Sequence, residues 1–273
     1  MPLPLAIQVN PLEHVKESPL FEGYGGSLKA IGETLNHYGV TKQVILYALA
    51  GAITVAIFLW RARQVKNERA PRGFGNLLEA VMLFVRDQMV RPFLGHEGDR
   101  YLPVIWSFFF FILISNLLGL VPFFDYLGHG GNTPTGSIYL TAALAICSFF
   151  IYHGLGIRKQ GFIHYVKNLF PHVPLFVLPI IIGVEILAHI VRPCALAVRL
   201  FANMLAGHTM IATILGFTAV WVNWVHWGAS VSLICFASSV ALMFLELLVA
   251  VIQAFVFSFL TTVFLAGAVH PEH

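Results

Sequence analysis

The sequence predicts an all-α polytopic membrane protein with about five transmembrane helices and one amphipathic helix. Three observations carry that reading. Hydrophobic residues make up 58% of the 273-residue chain and charged residues 11%, with a mean hydropathy of +0.80, which is too apolar for a water-soluble domain. The apolar residues fall in long blocks, several of which reach the ~20 residues a helix needs to cross the hydrocarbon core. The charges collect between those blocks.

Residues 1–42 form a segment of mixed character, with prolines and several acids. No basic stretch followed by an apolar one appears there, so a cleaved signal peptide is not expected. The first span runs from Val44 to Trp60, bracketed by Lys42 and Arg61. The link RARQVKNERAPR, Arg61 to Arg72, then carries five basic residues and one acid. Residues 74–94 mix Leu77, Leu78, Val81, Met82 and Val85 with Glu79, Arg86, Asp87 and Arg91, which suits an interfacial amphipathic helix.

The second span is VIWSFFFFILISNLLGLVPFF, Val104 to Phe124, followed by the uncharged loop Leu127–Gly136. The third, Ile138 to Gly156, ends against Arg158, Lys159 and Lys167. The positive-inside rule puts both basic connections in the cytoplasm. With three spans alternating, the N-terminal segment and the uncharged loop lie outside. Residues 43–168 thus make one block of three spans with the amphipathic helix.

Residues 169–273 differ. From Val173 to about Phe217, and from Gly228 to about Ala268, the chain is apolar almost without a break. A helix of 40 residues is about 60 Å long, twice the hydrocarbon thickness. No charged turn divides either run, and the break between them, TAVWVNWVHWGA, carries Trp221, Trp224 and Trp227 as an interface belt. The expectation is a hairpin of two long, tilted helices with the C-terminus in the cytoplasm. The cysteines Cys147, Cys194 and Cys235 lie in apolar runs without metal-ligand spacing and read as small core residues, with no disulfide. No phosphate loop, dinucleotide fingerprint or zinc pattern occurs. The net charge of +3 says little about partners. No cofactor, metal or nucleic-acid partner is expected; the lipid membrane is.

RPCALAVRLFANMLAGH, Arg192 to His208, interrupts this oil with polar residues. Arg199 lies near the middle of its run, keeps its proton under all ordinary conditions, and costs at least about 2.5 kcal/mol at the bilayer centre. At ~100° per residue, Glu185, Arg192, Arg199 and Asn203 fall within roughly 40° of one line, with His189 somewhat to the side. Such a stripe meets water or a charged partner. His208 is off that line, and a bend near Gly207 would bring it on. In the second run Glu246 and Gln253 share a face. An antiparallel hairpin sets Gln253 near the level of Arg199 and Glu246 near His208, with Glu185 about 21 Å inward. The bland readings are interhelical glue for Asn203 and Gln253, an anchor for Arg192, and interfacial placement for His153 and His189. For Arg199, with no carboxylate of its own chain beside it, a partner on another chain fits better.

The stretch RLFANMLAG, Arg199 to Gly207, resembles the R-L-F-x-N-M-x-A-G signature of subunit a of the rotary F-type ATP synthases. NLLGLVPF (Asn116 to Phe123), PLEHV near the N-terminus and Gln253 within VIQAFVFSFLTTVFL extend the likeness, in order, over residues 11 to 270. The resemblance implies a proton-translocating stator subunit, with no catalysis of its own, in a bacterial inner membrane. Its partners would be the rotating c-ring and the b-subunit peripheral stalk. It implies that Arg199 is the fixed cation facing the ring carboxylate, with Asn203 and Gln253 beside it. His208 and Glu246 would serve the outer half-channel and Glu185 the inner one, with His189 and Arg192 as further candidates there. Two departures stand out. The acid and the imidazole at His208 and Glu246 are exchanged relative to many members, and Ser137 and Tyr139 replace an acid and an asparagine. A self-contained ion channel or proton antiporter is the alternative, although such proteins usually show inverted repeats or paired mid-membrane carboxylates.

Overall fold

The computed structural model describes residues 37, 42–65, 73–121, 134–169, 178–222 and 228–269. Among these residues the structure is helical, without strands. A backbone in hydrocarbon must satisfy its own N–H and C=O groups, and a helix does this within one segment. The elements are α1 (Lys42–Val65), α2 (Phe74–Val85), a π-helical turn (Arg86–Val90), α3 (Arg91–Leu94), a 3-10 segment (Gly95–Arg100) and α4 (Leu102–Gly119). After a short 3-10 turn (Pro134–Gly136) follow α5 (Ile138–Gln160), α6 (Phe162–Leu169), α7 (Leu178–Val222) and α8 (Gly228–Val269). Five of them, α1, α4, α5, α7 and α8, are long and apolar enough to cross a membrane. The expected all-α, five-span architecture is therefore present.

The two apolar runs are single helices of 45 and 42 residues, about 68 and 63 Å at 1.5 Å per residue. Helix α7 carries Pro193 internally, which removes one backbone donor, and membrane helices accept this where side chains or neighbours compensate. Hydroxyls along both helices bond back to their own backbone, as Thr213 Oγ1 does to the Thr209 carbonyl at 2.6 Å and Thr262 Oγ1 to that of Ser258 at 2.8 Å. The hydroxyls thereby reach a partner without leaving the helix.

The chain divides into two compact units. One comprises Met1–Ala52, Ile112–Ser137 and Leu200–Gln253; the other comprises Ile53–Phe111, Ile138–Arg199 and Ala254–His273. In the second unit the amphipathic stretch is held on one side and greasy on the other. Leu78, Val85, Met89 and Val90 are buried, while Phe74, Leu77, Leu83 and Phe84 are exposed. Arg61 of α1 reaches Glu79 at 2.6 Å, and the Trp106 indole donates to the Met82 carbonyl at 3.1 Å. The 3-10 segment is pinned to the π-helical turn by Arg86, whose Nε and Nη2 donate to the two Asp99 carboxylate oxygens at 3.1 and 3.0 Å, with Arg91 adding a third bond at 3.2 Å. These hydrogen bonds, first from Arg86 and then from Arg91, hold Asp99 well below the usual carboxylate range. Helix α5 closes on α8 at Gly156, where a Cβ would come within 2.9 Å of the Ala268 carbonyl oxygen.

Several boundaries differ from the sequence reading. The second span ends at Gly119, and α7, described from Leu178, continues to Val222 rather than ending at about 217. Residues 173–177, 122–124, Trp224, Trp227 and almost all of the N-terminal segment lie outside the described residues. Cys147 and Cys194 are exposed and Cys235 is half-buried, so they are not core residues. In lipid a small apolar side chain loses nothing by facing outward, because the tails are as apolar as a protein core.

Candidate functional site

In the first unit α7 and α8 pack side by side. Asn203 Nδ2 donates to Gln253 Oε1 at 3.3 Å, and Gln253 is 4% exposed. One turn further along α7, Gly207 faces Glu246 so closely that a Cβ there would lie 2.6 Å from Glu246 Oε1 and 3.3 Å from Cγ. As α7 advances from 203 to 207, α8 recedes from 253 to 246, so the helices run antiparallel in this unit. Glu246 is 3% exposed and occupies the space left by the missing side chain of Gly207. The helix runs through Gly207 without interruption. The absence of a side chain at Gly207 is what leaves room for Glu246.

Between Glu246 and Gln253 on α8, the Ala250 carbonyl accepts a hydrogen bond from Asn116 Nδ2 at 3.4 Å, and Asn116 Oδ1 accepts one from Thr135 Oγ1 at 2.8 Å. Both Asn116 and Thr135 are fully buried. This chain ties α4 and the turn before α5 to the face of α8 that carries the two polar residues. Asn116→Ala should destabilise the protein by about 1–3 kcal/mol, because it strands a buried hydroxyl. Thermal unfolding of the detergent-solubilised complex would read this, with exposed Tyr139→Phe as the neutral control. The two hydroxyl residues noted in the sequence part company, Ser137 being buried and Tyr139 75% exposed.

In the second unit α7 before Leu200 and α8 after Gln253 meet, with the Arg192 guanidinium 5.5 Å from the centre of the Phe264 ring, within cation–π range. His189 lies next to His153 of α5, ring centroids 5.3 Å apart, and His153 Nδ1 is 2.5 Å from the Tyr165 hydroxyl. His153 also lies against Phe149 and Tyr152. His189 and Arg192 thus belong to the one unit whose α6 supplies Tyr165. Sequence reasoning did not anticipate α6 and took His153 for an interfacial residue. Burial pushes the Tyr165 phenol up, so it keeps its proton at any working pH.

Arg199 is exposed on α7 and forms no hydrogen bond or ion pair among the described residues. Glu185 and His208 lie on the same helix, with their side chains outside the described residues. Arg199 and Asn203 are one turn apart along it. The arrangement is an exposed, permanently charged group on a helix whose Asn203 meets Gln253 and whose Arg192 lies over Phe264 of α8. Such a charge in a spanning helix calls for a partner of opposite sign.

Comparison with known proteins places the whole of this arrangement within the stretch that matches one family. The family described as ATP synthase A chain matches residues 44–266. The chain is 35% identical to ATP synthase subunit a of Myxococcus xanthus over 266 residues, covering 96% of this chain and 84% of the relative. It is 34% identical to ATP synthase subunit a of a Methylobacterium species over 271 residues, covering 98% of this chain and 100% of that one. The corresponding protein of Maricaulis maris is 35% identical over 235 residues, 85% of this chain and 90% of the relative.

Proposed function

The chain belongs to the ATP synthase A chain family, and on that premise we propose that it is the proton-translocating stator subunit of the membrane sector. In this reading it supplies two offset half-channels and a fixed arginine, and a ring of c-subunits turns against it. The observation that carries the proposal is the exposed guanidinium of Arg199 midway along a 45-residue apolar helix.

The physics requires each part. A ring carboxylate facing lipid must be protonated, because a bare charge in hydrocarbon is prohibitive. Opposite Arg199 the ionised form is favoured. The proton leaves through one half-channel and the site refills from the other. Arg199 does not release a proton, so it also blocks a direct wire between the two routes. His208 and Glu246 serve the outer route; Asn203 and Gln253 line the approach to the arginine. Glu185, with His189 and Arg192 near it on α7, serves the inner one. A full transit is worth about 2.3 kcal/mol per 100 mV, so several protons are needed for each ATP. The chain itself carries out no covalent chemistry. It lies in the bacterial inner membrane with its N-terminus outside and C-terminus in the cytoplasm, beside the c-ring and the peripheral stalk.

The competing reading is a self-contained channel or antiporter. Replacing the ring carboxylate by an amide, in an assembled complex with this chain unchanged, separates the two. Proton flux is expected to fall to background. Flux persisting at the wild-type rate would mean that the chain conducts by itself.

A further inference from the structure

The second unit holds a cavity of about 590 Å³ at the ends of two spans, and nothing in the proton path uses it. Arg100 stands two residues before α4 begins, and Arg158 lies in the last turn of α5; both line the cavity. The acids nearby are already engaged. Asp99 is held by Arg86 and Arg91, and Glu97, on the cavity wall, is paired with Lys159. Arg100 and Arg158 are both exposed, and neither has an ion pair among the described residues. His96 adds a further nitrogen ligand to the rim, whereas Val104 and Leu155 continue the wall into the spans.

The cavity therefore has a charge surplus at headgroup level and an apolar wall at acyl-chain level. A guanidinium pair matches a phosphate, because its planar donors fit phosphate oxygens in bidentate fashion. A soluble phosphate would use the first feature and leave the second idle; a phospholipid uses both. Basic pockets between spanning helices on the cytoplasmic side are the setting in which anionic headgroups are held, and the positive-inside rule puts this end of α5 there. We propose that this cavity is a binding site for an anionic phospholipid, with Arg100 and Arg158 on its phosphate and Val104 and Leu155 against the start of an acyl chain. The site is separate from the proton path, and neither proposal rests on the other.

The test uses the purified complex in phosphatidylcholine vesicles containing a photoactivatable phosphatidylglycerol or, in parallel, a photoactivatable phosphatidylcholine. Cross-linked peptides are mapped by mass spectrometry. Segments 96–104 and 155–159 should be labelled preferentially by phosphatidylglycerol. At about 1 kcal/mol per basic residue near a headgroup, each guanidinium lost should lower that labelling about fivefold. Arg100→Gln with Arg158→Gln tests this, and Leu155→Trp, which fills the cavity without touching its charge, should lower labelling as well. Equal labelling by the two lipids would reduce the cavity to ordinary boundary lipid and overturn the proposal. So would labelling unchanged in the variants, and so would the absence of label because another subunit covers these segments. Loss of label to millimolar inorganic phosphate would assign the site to a free anion instead. ATP-driven acidification in the same vesicles is expected to continue in the variants. That readout keeps this proposal distinguishable from the role of Arg199.

Discussion

An Arg199→Ala complex is expected to assemble normally yet acidify vesicles roughly a hundredfold more slowly than wild type when driven by ATP. The assembly half follows from the exposure of Arg199, since truncating a side chain with no packing role opens no cavity. The rate half follows from charge. Without the guanidinium, a ring carboxylate that ionises opposite this subunit has no fixed counter-charge, and an uncompensated charge at the centre of a span costs about 2.5–3.5 kcal/mol. Each 1.36 kcal/mol is a factor of ten in rate, hence the hundredfold. Passive proton leak should rise in the same vesicles, because the block between the two routes has gone. Arg199→Lys restores a charge, but on a strongly hydrated ammonium that can shed its proton, so it should rescue pumping only in part and leave the leak high. Blotting checks that each variant is present in equal amount. Full pumping in an assembled Arg199→Ala complex would return the residue to the status of an anchor.

The spans were legible in the sequence because hydrocarbon imposes one rule on every backbone group, and an apolar run long enough to cross has little choice but helix. The same rule made α7 and α8 legible as single long helices, since no charged turn interrupts them. Short elements escaped. Helix α6 has eight residues, too few for a periodicity to stand out, and the π-helical turn and 3-10 segment are joined by contacts of Arg86, Arg91 and Asp99 that no periodicity announces. In the candidate site, which residues are polar was plain, but which of them touch was not. Asn116 was visible only as part of a motif, whereas its partner carbonyl on Ala250 lies 134 residues away. The aromatic surroundings of His153 depend on Tyr165, on a helix that the sequence did not announce. Gly207 entered as the place where a bend would bring His208 onto the polar stripe, whereas its closeness to Glu246 is visible only once the register against α8 is known.

That register makes the second large effect testable through signs that oppose each other. Gly207→Ala should leave the helix as stable as before or more so, since alanine exceeds glycine in helix propensity by up to about 1 kcal/mol. Pumping should nonetheless fall about tenfold. The new methyl would stand 2.6 Å from Glu246 Oε1 and 3.0 Å from Cδ, and the cheapest relief is for the flexible carboxylate to swing away while the helices keep their spacing. Overpacking of this kind costs about 1–3 kcal/mol, and a loss near the low end of that range, about 1.4 kcal/mol, corresponds to tenfold in rate. Glu246→Asp shortens the side chain by one methylene and withdraws the carboxylate from the space at 207. If the fault of Gly207→Ala is the displaced carboxylate, adding it to Glu246→Asp costs little beyond the loss that Glu246→Asp causes alone. The double-mutant cycle, read as initial rates of ATP-driven acidification with thermal stability measured alongside, should therefore be strongly non-additive. Two losses that simply multiply would place the effect of Gly207 elsewhere, on the neighbouring His208. The contact with Glu246 would then be a matter of packing and no part of the outer proton route.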